Sequence, residues 1–190
     1  MKMIRYRLAA LILAALLLTG CAAETPAETT AGKPAETTAE MPAATGTAAE
    51  QKTAPADFTP DMRFSGTDQN GAPITEQIFA EYRLTMINFW EPWCGPCVGE
   101  MPDLEKLHAA HPELLILGVY STVEGMERVL KETGVTYPVM RFDQAFQPYQ
   151  TGYVPTTIFV GPDGRVIGEP YIGSRDYNAW EAVVKELVAK

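Results

Sequence analysis

The chain has 190 residues, 46% of them hydrophobic, a formal net charge of −9 and three cysteines. Acidity on this scale argues against nucleic acid as a partner and against adhesion to a membrane by charge alone. Residues 56–190 are long enough to bury a core as one domain.

Lys2, Arg5 and Arg7 precede a short apolar run at residues 8–18. The run is too short to span a bilayer comfortably as a mature helix, and small residues follow it. This predicts an export signal over residues 1–20, with an uncleaved N-terminal membrane anchor as the alternative. Leu18-Thr19-Gly20-Cys21 resembles a bacterial lipobox. That resemblance implies cleavage before Cys21, lipid on its sulfur, and anchoring on the extracytoplasmic side of the bacterial cell membrane. Two acyl chains hold a protein stably where one is marginal. Residues 22–55 are almost wholly Ala, Thr, Glu and Pro, in an eight-residue repeat that begins PAETTAGK and PAETTAEM. Without aromatic residues the segment cannot bury a core, so residues 21–55 read as a lipidated cysteine followed by a disordered tether. Its ends would lie on the order of 30 Å apart. A Thr-glycosylated stalk is the alternative reading.

In the domain, Asn70-Gly71 between two short strand candidates predicts a hairpin, and EQIFAEY predicts one or two helical turns. LTMINFW (84–90) and ELLILGVY (113–120) have the length and apolarity of buried strands. Between them Val98, Met101, Leu104 and Leu107 recur at helical spacing, ending near His111-Pro112. TVEGMERVLKETG predicts a helix closed by Gly134. YPVMRF reads as a short strand and DQAFQPYQTG as a brief helix. TTIFVGPDGRVIGEPY reads as a hairpin turning at Pro162-Asp163-Gly164, and SRDYNAWEAVVKELVAK as a helix with a Ser cap. Helices alternating with buried strands imply a three-layer α/β domain around a mixed sheet.

Within NFWEPWCGPCVGEMP, Cys94 and Cys97 form a Cys-x-x-Cys pair. Zinc needs a second ligand pair, and His108 and His111 do not supply one. Haem attachment needs a His where Val98 stands. As a structural staple, so small a loop removes little unfolded-state entropy. Dithiol–disulfide exchange suits the pair better, because it lies where a buried strand meets a helix N-terminus. Unpaired N–H groups and the helix dipole there lower a thiol's pKa. Cys94 is expected to be the exposed nucleophile and Cys97 the resolving thiol that closes the Cys94–Cys97 disulfide. A peroxidatic Thr-x-x-Cys is absent, since Glu91 holds the Thr position, and a Cys-x-x-x-Cys copper site is absent too.

FWEPWCGPC, with Gly95-Pro96 between the cysteines, Pro102 in the following helix, and YVPTTIF together resemble the thioredoxin superfamily. The closest resemblance is to the membrane-tethered TlpA/ResA type. The resemblance covers nearly all of residues 57–190. It implies a thioredoxin-like α/β/α sandwich with an N-terminal hairpin and an extra αβ insertion. It also implies a cis Val154–Pro155 bond facing the disulfide, and a substrate groove formed by Trp93, Gly95, Pro96, Val154 and Pro155. Trp90 serves equally well as packing. No cofactor or metal is implied beyond the redox-active cysteines. The implied partners are a client protein bearing a disulfide, such as apocytochrome c or methionine sulfoxide reductase, and a membrane thiol donor of the CcdA/DsbD kind. A thiol oxidase or isomerase, or a non-catalytic binding lipoprotein, is the alternative.

Two positions depart from the thioredoxin pattern. Asn88 replaces the buried Asp usual beneath the cysteines, and it cannot titrate. Glu100, three residues after Cys97 on the same helical face, is the expected proton acceptor instead. Glu91 and Glu100 also flank the motif with negative charge, which disfavours a thiolate. Cys94 is therefore expected to be less acidic than in a DsbA-type oxidant.

Overall fold

The computed structural model describes residues 58–189. The expected signal peptide, Cys21 and the tether lie outside the described residues. The Asn70-Gly71 hairpin forms as predicted, pairing β1 (Ser65–Thr67) antiparallel with β2 (Pro73–Thr75). Asp68 Oδ1 accepts the N–H groups of Asn70 and Ala72, both at 2.8 Å, and Gly71 takes φ +83°, open to glycine at little cost. EQIFAE becomes a 3₁₀ helix, Glu76–Glu81.

The remaining strands make one sheet: β3 (Leu84–Trp90), β4 (Leu114–Tyr120), β5 (Val139–Arg141), β6 (Thr156–Val160) and β7 (Val166–Ile172), in the order β5-β4-β3-β6-β7. β3 runs parallel to β4, and β4 to β5; β6 pairs antiparallel with β3 and β7. The sheet is mixed, as the alternation of helices and strands followed by a terminal hairpin required. Every residue of β3, β4 and β6 is buried, which explains why these strands read as continuous apolar runs rather than alternating ones.

Three α-helices share one face: α1 (Gly95–Ala110), α2 (Met126–Thr133) and α3 (Tyr177–Val188). They bury Met101, Leu104, Leu107, Val129, Trp180 and Val184 against Leu84, Met86 and Trp90 of β3. Ile87 and Phe89 point the other way, into Phe64, Ile74, Phe79 and Phe146. The opposite layer is therefore made by the hairpin, by the 3₁₀ helix at Glu76–Glu81 and by a second one, Gln144–Tyr149, rather than by long α-helices. The cap of α3 also differs from expectation. Asp176, not Ser174, accepts the Ala179 N–H at 2.9 Å, because this start places Trp180 and Val184 on the buried face.

Residues 58–61 strap the β6–β7 turn: Thr59 N–H donates to Asp163 O (3.2 Å) and Asp61 N–H to Gly164 O (2.9 Å). β6 runs from Pro155 at one end of the sheet to this turn at the other. The chain thus comes into the domain at the pole opposite residues 90–94.

Candidate active site

The cysteines stand where β3 gives way to α1. Cys94 is the N-cap residue of α1, Pro96 occupies its first turn, and Cys97 lies one turn in. Pro96 suits that place because a first-turn N–H has no intrahelical partner to lose. Cys94 and Cys97 are joined as a disulfide. Cys94 Sγ accepts the Cys97 N–H at 3.2 Å, the same contact that would stabilise a thiolate at the positive end of the helix. Cys94 keeps 5% of its surface and Cys97 1%. The expectation of an exposed nucleophile is thus corrected: Cys94 is the more accessible of two covered sulfurs, while Gly95 and Pro96 between them are exposed.

The cover comes from the loop before β6. The Val154–Pro155 bond is cis, and Val154 O lies 3.6 Å from Cys94 Sγ. An oxidised sulfur has no proton to donate, so this is a contact; a reduced Cys94 thiol could donate across it. The loop is held by Thr156 Oγ1, which donates to Tyr153 O at 2.8 Å, and by Gly173 N–H, which donates to Pro155 O at 2.8 Å. Trp93 and Tyr153, 70% and 68% exposed, are large apolar side chains left in water on the two segments that meet at the disulfide.

Beneath the motif, Glu100 is almost completely buried, with 4% of its surface exposed. Asn88 Nδ2 donates to its Oε1 at 3.0 Å and to Thr157 Oγ1 at 3.0 Å. Its Oε2 accepts from Arg175 N–H (3.1 Å) and Trp180 Nε1–H (3.3 Å). Burial pushes the Glu100 carboxyl above its ordinary value. The donors from Arg175, Asn88 and Trp180, and the Arg175 charge, pull it back only in part. A cavity of about 310 Å³ between Pro96, Gly99, Asp103 and residues 174–176 reaches Glu100 from the surface.

Glu91 is also largely buried, but its carboxylate is occupied. Oε1 accepts Ser121 N–H (3.0 Å) and Oε2 accepts Thr122 N–H (2.9 Å). It ties the end of β3 to the end of β4 and is more than a free charge beside the cysteines. Trp90 is core, 1% exposed. Among the described residues no cluster of His, Cys, Asp and Glu is placed to hold a metal ion.

A sequence profile of the AhpC/TSA family matches residues 55–168. The chain belongs to that family. It is 32% identical over 124 residues to the thiol-disulfide oxidoreductase ResA of Geobacillus kaustophilus, covering 61% of this chain and 70% of that protein. It is 31% identical over 117 residues to the ResA of Oceanobacillus iheyensis, where the match spans 58% of this chain and 61% of the relative. Among solved structures, the thiol:disulfide interchange protein of the thioredoxin family from Chlorobium tepidum superposes with a TM-score of 0.60 at 27% identity, over 71% of this chain and 99% of that one. StoA from Bacillus subtilis shares the fold, with a TM-score of 0.55 at 20% identity over 67% and 98%. The thioredoxin-like fold expected from the motifs is therefore the fold of this domain.

The structure gathers the family motif as expected, with Cys94, Cys97, Gly95, Pro96, Val154 and Pro155 at one end of the sheet and Trp93 beside them. Sequence reading missed the partners of Glu100. Arg175 and Trp180 lie 75 and 80 residues away, the first in the loop before α3 and the second in α3 itself. Asn88 was noted as unable to titrate; its service as a double donor depends on facing Thr157, its cross-strand partner.

Proposed function

We propose that this protein is an extracytoplasmic thiol–disulfide oxidoreductase that reduces disulfides in other proteins. The observation that carries the reading is the Cys94–Cys97 disulfide at the α1 N-terminus, with Val154 O in contact with its first sulfur. In the reduced protein the Cys94 thiolate attacks a client disulfide. One client sulfur leaves as a thiolate, which takes its proton from water, and the other stays bonded to Cys94. Cys97 then attacks Cys94: the Cys94–Cys97 bond forms, the mixed disulfide breaks, and the Cys97 proton passes to Glu100. The client gains the two electrons that the pair gives up. The backbone beside Pro155 pairs with an extended client segment, and exposed Trp93, Gly95 and Pro96 complete the groove.

Lipid on Cys21 holds the protein at the outer face of the cell membrane, where a membrane thiol carrier of the CcdA/DsbD kind re-reduces it. Apocytochrome c and methionine sulfoxide reductase are the candidate clients. Glu91 at the position of a peroxidatic Thr disfavours peroxide chemistry within the same family.

The reduction potential of the Cys94–Cys97 couple, measured on the full chain equilibrated with glutathione, tests the direction of transfer. A value near thioredoxin's roughly −270 mV supports a reductant. One near DsbA's roughly −120 mV, about 7 kcal/mol away in driving force, would make the protein an oxidant.

A further inference from the structure

Glu100 is held from the α3 side by a structure that its role as proton acceptor leaves unexplained. Both donors to Oε2, the Arg175 N–H and the Trp180 indole, come from one short stretch of chain. The Arg175 guanidinium does not reach for solvent. It lies over two rings, 5.0 Å from the centroid of Tyr171 and 4.9 Å from that of Trp180, and Nη1 donates to Gly173 O at 3.1 Å. Tyr171 and Trp180 themselves meet edge to face at 5.8 Å. Gly173 in turn holds the Pro155 carbonyl. One side chain thus fastens the indole, the loop that offers its own N–H, and the end of β7. Two cation–π contacts on one guanidinium are enough to choose between rotamers of a loop side chain.

The geometry points to Arg175 as the positioning residue for Glu100: its guanidinium clasp keeps the indole and the 175 amide both aimed at Oε2. This rests on the reading of Glu100 as the acceptor of the Cys97 proton. A carboxylate this deeply buried stays chargeable only while its donors stay in place. The charged and titratable groups around it are few: Arg175 itself, Asp103 and Asp176 at the rim of the cavity, and the buried Tyr137 hydroxyl, which feels the Glu100 charge. Only Arg175 among these is positive, and only Arg175 is tied to one of the donors.

The test uses the full chain in detergent, as Arg175→Ala, Arg175→Gln, Arg175→Lys and Glu100→Gln. Glu100 is titrated through its side-chain carboxyl carbon by NMR while the Trp180 indole N–H is followed. In the wild type the indole signal should shift with the Glu100 titration. In Arg175→Ala that response should shrink and the Glu100 midpoint should rise; Arg175→Lys, which keeps a cation over the rings, should restore part of both. Release of the second equivalent of 5-thio-2-nitrobenzoate, which reports Cys97 attacking the Cys94 mixed disulfide, should slow roughly threefold on the acid limb in Arg175→Ala. An unchanged midpoint and indole response in Arg175→Ala would overturn the inference; if that variant does not fold, the same null result in Arg175→Gln, which removes the cation over the rings, would do so. If Glu100→Gln leaves the second release untouched, the proton-acceptor reading fails, and the two NMR signals still decide whether Arg175 holds Glu100.

Discussion

At the scale of single residues, Glu100 ties stability to pH. Its folded pKa is raised above the ordinary 4.5 by burial. Between 4.5 and the folded midpoint, the native protein therefore keeps a proton that the unfolded chain has released. The contribution is full below about pH 4.5 and is lost as pH rises through the folded midpoint. The melting temperature of the wild type, relative to Glu100→Gln, should fall as pH rises from about 4.5 through the folded midpoint; a flat difference would mean that folding leaves this carboxyl unperturbed. Cys97→Ser should accumulate a mixed disulfide between Cys94 and its client, visible on non-reducing gels, whereas Cys94→Ser should not. A trap formed through residue 97 would reverse the assigned roles. Cys94 is expected to titrate well above the DsbA-like value of about 3.5, as ultraviolet thiolate absorbance would show. Glu100 and the cover over Cys94 disfavour a thiolate there more than Glu91 does, because the Glu91 carboxylate is held by two amides. Sequence proximity made Glu91 look like a free charge, but its partners are amides 30 and 31 residues further on. The cysteines were legible because their chemistry is local; Glu91, Arg175 and Trp180 were not, because their partners come from distant elements.

Among the elements, the apolar runs and helical spacings that marked β3, β4 and α1 survive because each buries a continuous surface. The brief helices were read correctly as short, yet nothing in their sequence specified that they, with the hairpin, would make up the opposite layer. The α3 cap was misplaced by two residues because Ser-Arg-Asp offers two capping side chains and only tertiary burial chooses. Gly118 in β4 shows a constraint that strand propensity hides. A Cβ there would stand 3.1 Å from Val139 Cγ2 and 3.2 Å from Trp90 Nε1. Both neighbours are core residues with little room to yield, so Gly118→Ala should cost about 1–3 kcal/mol in denaturant unfolding. Leu104→Ala, which empties a fully buried site on α1, should cost about 2–5 kcal/mol. A loss under half a kcal/mol at either site would place it outside the packed core.

The molecule as a whole is tested by its redox state in cells. With the proposed membrane donor deleted, the protein should be found oxidised in cells by thiol-trapping; a pool that stays reduced would break the link to that donor. The strap of residues 58–61 over the β6–β7 turn puts the first described residues and the sulfur pair at opposite ends of the sheet. A cut made just ahead of the strap therefore leaves the far pole untouched, so a variant that starts at Ala56 should keep the full chain's rate with a small disulfide; a slower rate would mean that the residues before the strap reach the sulfurs.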